Sequence, residues 1–152
     1  MTIHDALTAH AFTHGLTDAQ TRSLAEITRE VRFAEDDVVL VEGARSKSFY
    51  LLISGSVAVE LRTARYAVSV QSLSAGHVFG WSSLLDRQDT LFQVRAREST
   101  TALEIDGALL KECCFRDPSL GTELLHRLLM VVAGRVKATE LRFAEMCGVR
   151  VG

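Results

Sequence analysis

The sequence offers no apolar run near the roughly 20 residues that cross a bilayer, so no membrane association is expected. It also has no excess of one charge. Lys and Arg number 17 against 19 Asp and Glu, a formal net charge of -2, which gives no general attraction for nucleic acid. Cysteine is scarce, and Cys113, Cys114 and Cys147 form an odd set without metal-type spacing. A bridge between the adjacent pair would strain the peptide between them, so all three read as small apolar residues on helices. Among the strand-like runs His77 is the sole histidine, which leaves a convergent metal site unsupported. His4, His10 and His14 punctuate the amino-terminal segment and read as surface residues, and His126 as an interface residue on a helix. Internal repeats and low-complexity stretches are absent, and Met1 to His10, mixed in polarity with Asp5 inside, does not resemble a secretory signal. No metal and no cofactor is expected, and a cytoplasmic location is the default.

What is present is ordinary for one folded domain over residues 1–152: 47% hydrophobic and 24% charged residues, enough for a single core. N-terminal helices are predicted within 1–29. Ile3, Ala6, Leu7 and Ala11 have helical spacing up to a break at Gly15, and Thr17 with Gln20 forms a capping box for a helix from about Asp18 to about Arg29. From Glu30 the period changes to two. Strands are expected at Val31 to Phe33, Val38 to Val41, Phe49 to Ile53, Val57 to Leu61, Tyr66 to Leu73, Phe92 to Ala96 and Thr101 to Ile105. The short Ser54-Gly55 turn makes Phe49 to Ile53 and Val57 to Leu61 look like a hairpin. The fold class is therefore mainly β with flanking helices: a small antiparallel β-barrel or jelly roll over 30–105, with helices before and after it.

C-terminal helices are predicted over 106–147. Asp106 caps a short helix to Cys114, and Asp117-Pro118 starts a long one. Along the latter, Leu125, Leu129, Val132, Val136, Thr139, Phe143 and Met146 recur at steps of four and three as a heptad seam. Leu120, Leu124, Leu128 and Val131 form a second apolar line. One line can close on the barrel while the other meets a partner helix, so a homodimer through the C-terminal helix is expected. Arg135, Lys137, Arg142 and Arg150 make this end basic, offset by Glu140 and Glu145, and a solvated face is the reading.

The stretch Gly76 to Ala96 organises the rest. A glycine-marked turn leads into Trp81 to Leu85, of helical character, then a polar link and a resumed strand. Backbone N–H groups at the start of that helix, with Ser82 and Ser83, could hold a small anion, although capping is their simpler role. Gly80-Trp81-Ser82-Ser83-Leu84 resembles half a nucleophile elbow but lacks the second glycine and any identifiable acid and His partners, so catalysis is not expected.

Several words in order carry a family resemblance: Val41-Glu42-Gly43, Phe49-Tyr50-Leu51-Leu52-Ile53-Ser54-Gly55-Ser56-Val57, Leu73-Ser74-Ala75-Gly76-His77-Val78-Phe79-Gly80 and Val94-Arg95-Ala96. Together they resemble the cyclic nucleotide-binding domain of the catabolite activator superfamily, from about Thr17 to about Met146. The resemblance implies a double-stranded β-helix with a phosphate cassette, here 79–96. It places Trp81 where the family has the Glu that binds the ribose hydroxyl. Thr90 and Leu91 stand where it has the Arg and small hydroxyl residue that hold the cyclic phosphate. A charge-assisted contact of that kind is worth about 1.5–3 kcal/mol, and Asp86 and Asp89 add repulsion. The ligand residues implied are Phe79, Gly80, Trp81, Ser82, Ser83, Thr90 and Leu91, with cyclic AMP or cyclic GMP bound weakly or not at all. Trp81 either stacks on a flat ligand or fills the vacated sugar site.

The reading is a stand-alone, non-catalytic sensor or regulatory module whose rewritten pocket takes another small molecule, with a separate protein effector among its partners. A ligandless dimeric scaffold is the alternative.

Overall fold

The computed structural model describes residues 1–41, 43–44, 46–85 and 92–148. Two short helices, α1 (Ile3–Ala9) and α2 (Asp18–Ala25), precede eight strands. These are β1 (Thr28–Phe33), β2 (Val38–Leu40), β3 (Ser48–Ser54), β4 (Ser56–Arg62), β5 (Ala67–Ser74), β6 (Val78–Phe79), β7 (Gln93–Ala96) and β8 (Thr100–Asp106). Helices α3 (Gly107–Arg116) and α4 (Pro118–Met146) complete the described chain. The strands form two four-stranded sheets, β1-β8-β3-β6 and β2-β7-β4-β5, with every pairing antiparallel, as a jelly roll requires.

The helix starts derive from local chemistry. Thr17 and Gln20 exchange side chain to backbone bonds in both directions, which is the expected capping box, and Thr2 with Asp5 makes a second one. Asp106 accepts from the Leu109 N–H at 2.9 Å and Asp117 from the Leu120 N–H at 3.2 Å. Helix α2 is shorter than expected. It ends at Ala25 because Thr28, predicted helical, turns its hydroxyl back to the Leu24 carbonyl at 2.6 Å and starts β1, which pairs with β8.

The expected hairpin between β3 and β4 does not exist. β3 has β6 on one edge and β8 on the other, leaving no edge for β4, which pairs with β5 and β7 in the opposite sheet. The chain crosses between sheets at Gly55, whose φ of 86° is left-handed and whose added Cβ would lie 2.5 Å from Thr100 Oγ1 and 2.6 Å from the Ser99 carbonyl. The true hairpin is β4–β5, closed where the Thr63 N–H donates to the Tyr66 carbonyl at 2.8 Å.

Two cores result. Phe49 and Leu51 of β3, with Leu103 and Ile105 of β8, face the helices and pack with Leu7, Phe12, Leu24, Leu110, Leu120 and Leu124. Tyr50 and Leu52, with Val57, Leu73, Phe79, Val94 and Ala102, fill the barrel. Alternation along a strand sends neighbours to opposite faces, so β3 serves both cores at once.

A Gly55→Ala substitution is expected to lower stability in chemical denaturation by about 2 kcal/mol or more, because strain and overlap combine. Gly134, on α4 with open space around it, should gain about 0.5–1 kcal/mol on changing to Ala. Equal effects at the two sites would contradict the described crossing.

Candidate functional site

The cassette begins where β6 divides its two residues between the two cores. Val78 joins the helix-facing cluster and Phe79 the barrel interior. Phe79 lies on Tyr50 with ring centroids 4.8 Å apart and planes at 14°, and Phe33 meets Tyr50 edge-on at 6.1 Å. Gly80 then turns the chain with a φ of 86°, and its added Cβ would lie 2.5 Å from the Ser48 carbonyl. No other residue type fits this bend without displacing β3.

Trp81 to Leu84 form a single 3-10 turn, shorter than the expected helix. Its polar groups are largely used within the turn: the Ser83 N–H donates to the Gly80 carbonyl at 3.0 Å and the Ser83 hydroxyl to the same oxygen at 2.7 Å. Ser82 is half-buried, and its carbonyl accepts from the Leu85 N–H at 3.1 Å. Neither serine caps the turn through its side chain. A four-residue turn has too few aligned peptides for a large dipole, which weakens the anion reading.

The indole of Trp81 packs with the helix-facing cluster, whereas the ring inside the barrel is Phe79. The Arg135 guanidinium of α4 lies over it, 4.6 Å from the ring centroid. Burial lowers the Arg135 pKa to about 10, so it stays charged at neutral pH. Thr90 and Leu91, the other two cassette positions singled out, lie outside the described residues.

The barrel opens between β2 and β3 into a cavity of about 230 Å³ lined by Leu40, Val41, Ser46, Ser48 and Tyr50 among others. Burial, with Glu104 nearby, raises the Tyr50 phenol to about 12, which keeps it neutral. Glu104 itself accepts from Arg29 at 2.7 and 3.1 Å.

A second polar group, in the opposite sheet, escaped the sequence reading. Gln93, a polar residue next to Val94 on β7, is 5% exposed, and Glu60 is 4% exposed. Glu60 accepts from Gln93 Nε2 at 2.7 Å and from Arg95 at 2.6 Å, so each of its two oxygens has a partner. Nothing in the alternation of β4 signalled this, because a bulge between Val59 and Glu60 changes the register there.

His10 was expected at the surface and is buried. Its Nδ1 accepts from the Phe12 N–H at 3.1 Å, which leaves Nε2 to donate to the Leu52 carbonyl at 2.9 Å. This pairing fixes the neutral tautomer, and burial lowers its pKa below the usual 6.5.

On α4 the two apolar lines separate. Leu120, Leu124 and Leu128 are buried against the barrel, while Leu125, Leu129, Val136 and Phe143 are 59%, 64%, 52% and 67% exposed. Val132, placed in the outer line by spacing, is half-buried against the chain's own core. Gln71 of β5 donates to the Arg135 carbonyl at 3.2 Å and to Thr139 at 3.4 Å, tying the helix to the barrel. Among the described residues, no three His, Cys, Asp or Glu side chains cluster as metal ligands, and no helix is long and apolar enough to cross a membrane.

Residues 30–117 match the model of the cyclic nucleotide-binding domain. Over 138 residues, 90% of this chain, there is 26% identity to a protein named as a potassium channel of Rhodopseudomonas palustris, of which the chain spans 32%. A cyclic nucleotide-binding protein from Geobacter metallireducens is 27% identical with a TM-score of 0.78, covering 90% of this chain and 99% of that one. The regulatory subunit of a cAMP-independent protein kinase A from Trypanosoma cruzi, bound to guanosine, shares the fold at a TM-score of 0.73 with 18% identity, over 95% of this chain and 49% of its own. The Trypanosoma brucei counterpart is similar too, as a triple mutant with Glu changed to Ala and an adjacent Thr and Val to Arg and Ala. It is bound to cAMP in its A site, with a TM-score of 0.71, 19% identity, and coverage of 93% and 49%.

Because the folded pKa of His10 lies below its unfolded value, the unfolded chain binds the extra proton first. The stability contributed by neutral His10 is whole above about pH 6.5 and is lost as pH falls from there through the folded pKa, by up to about 1.4 kcal/mol per unit. His10→Gln, which keeps a donor, should remove that part of the acid slope in denaturation series between pH 7.5 and 5. An unchanged slope would contradict the buried neutral imidazole.

Proposed function

The chain belongs to the cyclic nucleotide-binding domain family, and we propose that it is a non-catalytic regulatory module whose barrel takes a small molecule without a cyclic phosphate, a purine nucleoside being the favoured class. The observation that carries this reading is the Thr90-Leu91 pair, where the family resemblance calls for an Arg and a small hydroxyl residue. A cyclic phosphate needs a fixed cation, and neither residue supplies one. A nucleoside needs an apolar slot and a few hydrogen bonds, which suit a barrel filled by Tyr50, Phe79 and aliphatic side chains.

The trypanosome subunits supply a parallel. One is described as cAMP-independent and bound to guanosine, and the other as bound to cAMP after a Thr-Val pair had been changed to Arg-Ala. The same Thr-aliphatic pairing in this chain supports a neutral ligand here as well. Trp81, at the position of the family's ribose-binding Glu, is engaged by Arg135 of α4. A ligand pressing on the cassette thereby has a route to the long helix.

Assembly is the second part of the reading. The exposed line Leu125, Leu129, Val136 and Phe143 has the heptad spacing of a helix that pairs with its own copy, and its inner neighbours are already buried in the same chain. The compartment, the effector and any catalytic role of a larger protein containing this domain belong to the same proposal, with a cytoplasmic, non-enzymatic regulator favoured.

In calorimetric titration, guanosine or inosine should bind at least about tenfold more tightly than cyclic GMP or cyclic AMP, the factor that about 1.4 kcal/mol of lost phosphate recognition provides. The Thr90→Arg/Leu91→Ala double variant should gain cyclic AMP binding. Micromolar cyclic AMP binding by the unmodified chain would overturn the reading. No binding of any nucleoside would leave the ligandless scaffold in its place. Leu129→Glu should convert a dimer to a monomer in sedimentation, and an unchanged sedimentation coefficient would remove the α4 seam as the interface.

A further inference from the structure

A groove of about 680 Å³ lies outside the barrel, between α4 and the turn joining β5 to β6. Its volume is in the range of small-molecule sites. Leu73, Val78, Met130 and Val131 form apolar walls, and the polar side chains that carry or can accept positive charge are Arg127, Arg135, His77 and His126. Among the described residues no carboxylate lines it, in a chain whose 19 acidic residues outnumber its 17 Lys and Arg.

The two guanidinium groups differ in what they are free to do. Arg127 is committed: it donates to the Phe12 and His14 carbonyls at 2.7 Å each and to Glu123 at 2.9 Å. Among the described residues Arg135 has only the Trp81 ring. Among the described residues its guanidinium has no carboxylate within 4.0 Å and no hydrogen-bond acceptor. A cation drawn from water without a counter-charge is costly. The contact with the indole consumes no hydrogen-bond acceptor, so the guanidinium keeps forked donors that match the two oxygens of a carboxylate. His77 adds a donor, because its Nδ1 accepts from the Ser74 N–H at 2.9 Å and its proton therefore sits on Nε2.

We infer that this groove is a second ligand site, for an amphipathic monoanion with one carboxylate on an apolar body, the carboxylate on Arg135 and the body along Leu73, Met130 and Val131. One uncommitted guanidinium matches one negative charge, whereas a polyphosphate would call for several. Gly134 leaves the helix wall open, since an added Cβ there meets nothing within 4 Å. The site lies on the outside of the barrel, sharing Leu73 with the barrel interior and reaching the cassette where Arg135 meets Trp81. Occupancy moves the Trp81 signal because the ring that reports is the one Arg135 covers.

The test is titration of the purified chain with octanoate and with naphthoate, read by calorimetry and by the emission of Trp81, the sole tryptophan. The expected result is saturable one-to-one binding, weakened about tenfold or more in Arg135→Met, which keeps the apolar stem but removes the fork. Gly134→Leu should fill the groove and abolish binding while retaining or raising the thermal midpoint. Thr90→Arg/Leu91→Ala should leave octanoate binding unchanged, so failure of the nucleoside reading and failure of this one give different patterns. The inference is overturned by equal binding of octanol or naphthamide, by equal binding of acetate, by an unaffected Arg135→Met or Gly134→Leu variant, or by the absence of saturable binding.

Discussion

Strand β3 is buried on both faces, and the molecule is arranged about that condition. Phe49 and Leu51 point to the helices, where Phe49 meets Phe12 edge-on at 5.4 Å, while Tyr50 and Leu52 point into the barrel. Each such side chain contributes about 1.5–3 kcal/mol of burial. A strand apolar on both sides has to be covered on both, so the amino-terminal helices, α3 and the first half of α4 close one face and the second sheet closes the other. Both edges of β3 are hydrogen-bonded as well, to β6 and β8. With no edge left to pair, the chain leaving β3 is forced across to the opposite sheet at Gly55.

The same division shapes the cassette. β6 is only two residues long, yet it gives Val78 to the outer core and Phe79 to the inner one. Gly80 is wedged against the Ser48 carbonyl, so the cassette is tied to the first residue of β3. Beyond it Trp81 emerges on the helix side beneath Arg135. An event inside the barrel and an event on the outer face thus meet within four consecutive residues, which is a short mechanical path. Tight packing on both sides favours discrete shifts over gradual deformation.

The features legible in the sequence are the ones whose causes are local. The Thr17–Gln20 capping box, the Asp106 and Asp117 caps and the separation of Leu120, Leu124 and Leu128 from Leu125 and Leu129 all depend on residues within a few positions. The misread hairpin depended on which strands claim the edges of β3, and strand neighbours distant in sequence decide that. His10 looked like a surface residue because its partner, the Leu52 carbonyl, is 42 residues along the chain. The burial of Gln93 was not legible because the carboxylate that receives it stands beyond a bulge on another strand. Trp81 was legible as the departure in the cassette, but not the cation above it, since Arg135 is brought there by the tertiary packing of α4.

The doubly buried strand separates two compartments: a barrel interior of aromatic and aliphatic side chains, and an outer groove whose wall carries a guanidinium with no counter-charge among the described residues. That they are two distinct binding sites meeting at Trp81 is the central claim. Backbone amide chemical-shift mapping with guanosine and then octanoate, added to one sample, tests it most directly. The expected result is two separate sets of shifted amides. Guanosine should move Tyr50, Phe79 and Gly80, and octanoate His77, Met130 and Arg135, with Trp81 and Leu73 at the boundary responding to both. A single shared set, or displacement of one ligand by the other, would contradict it.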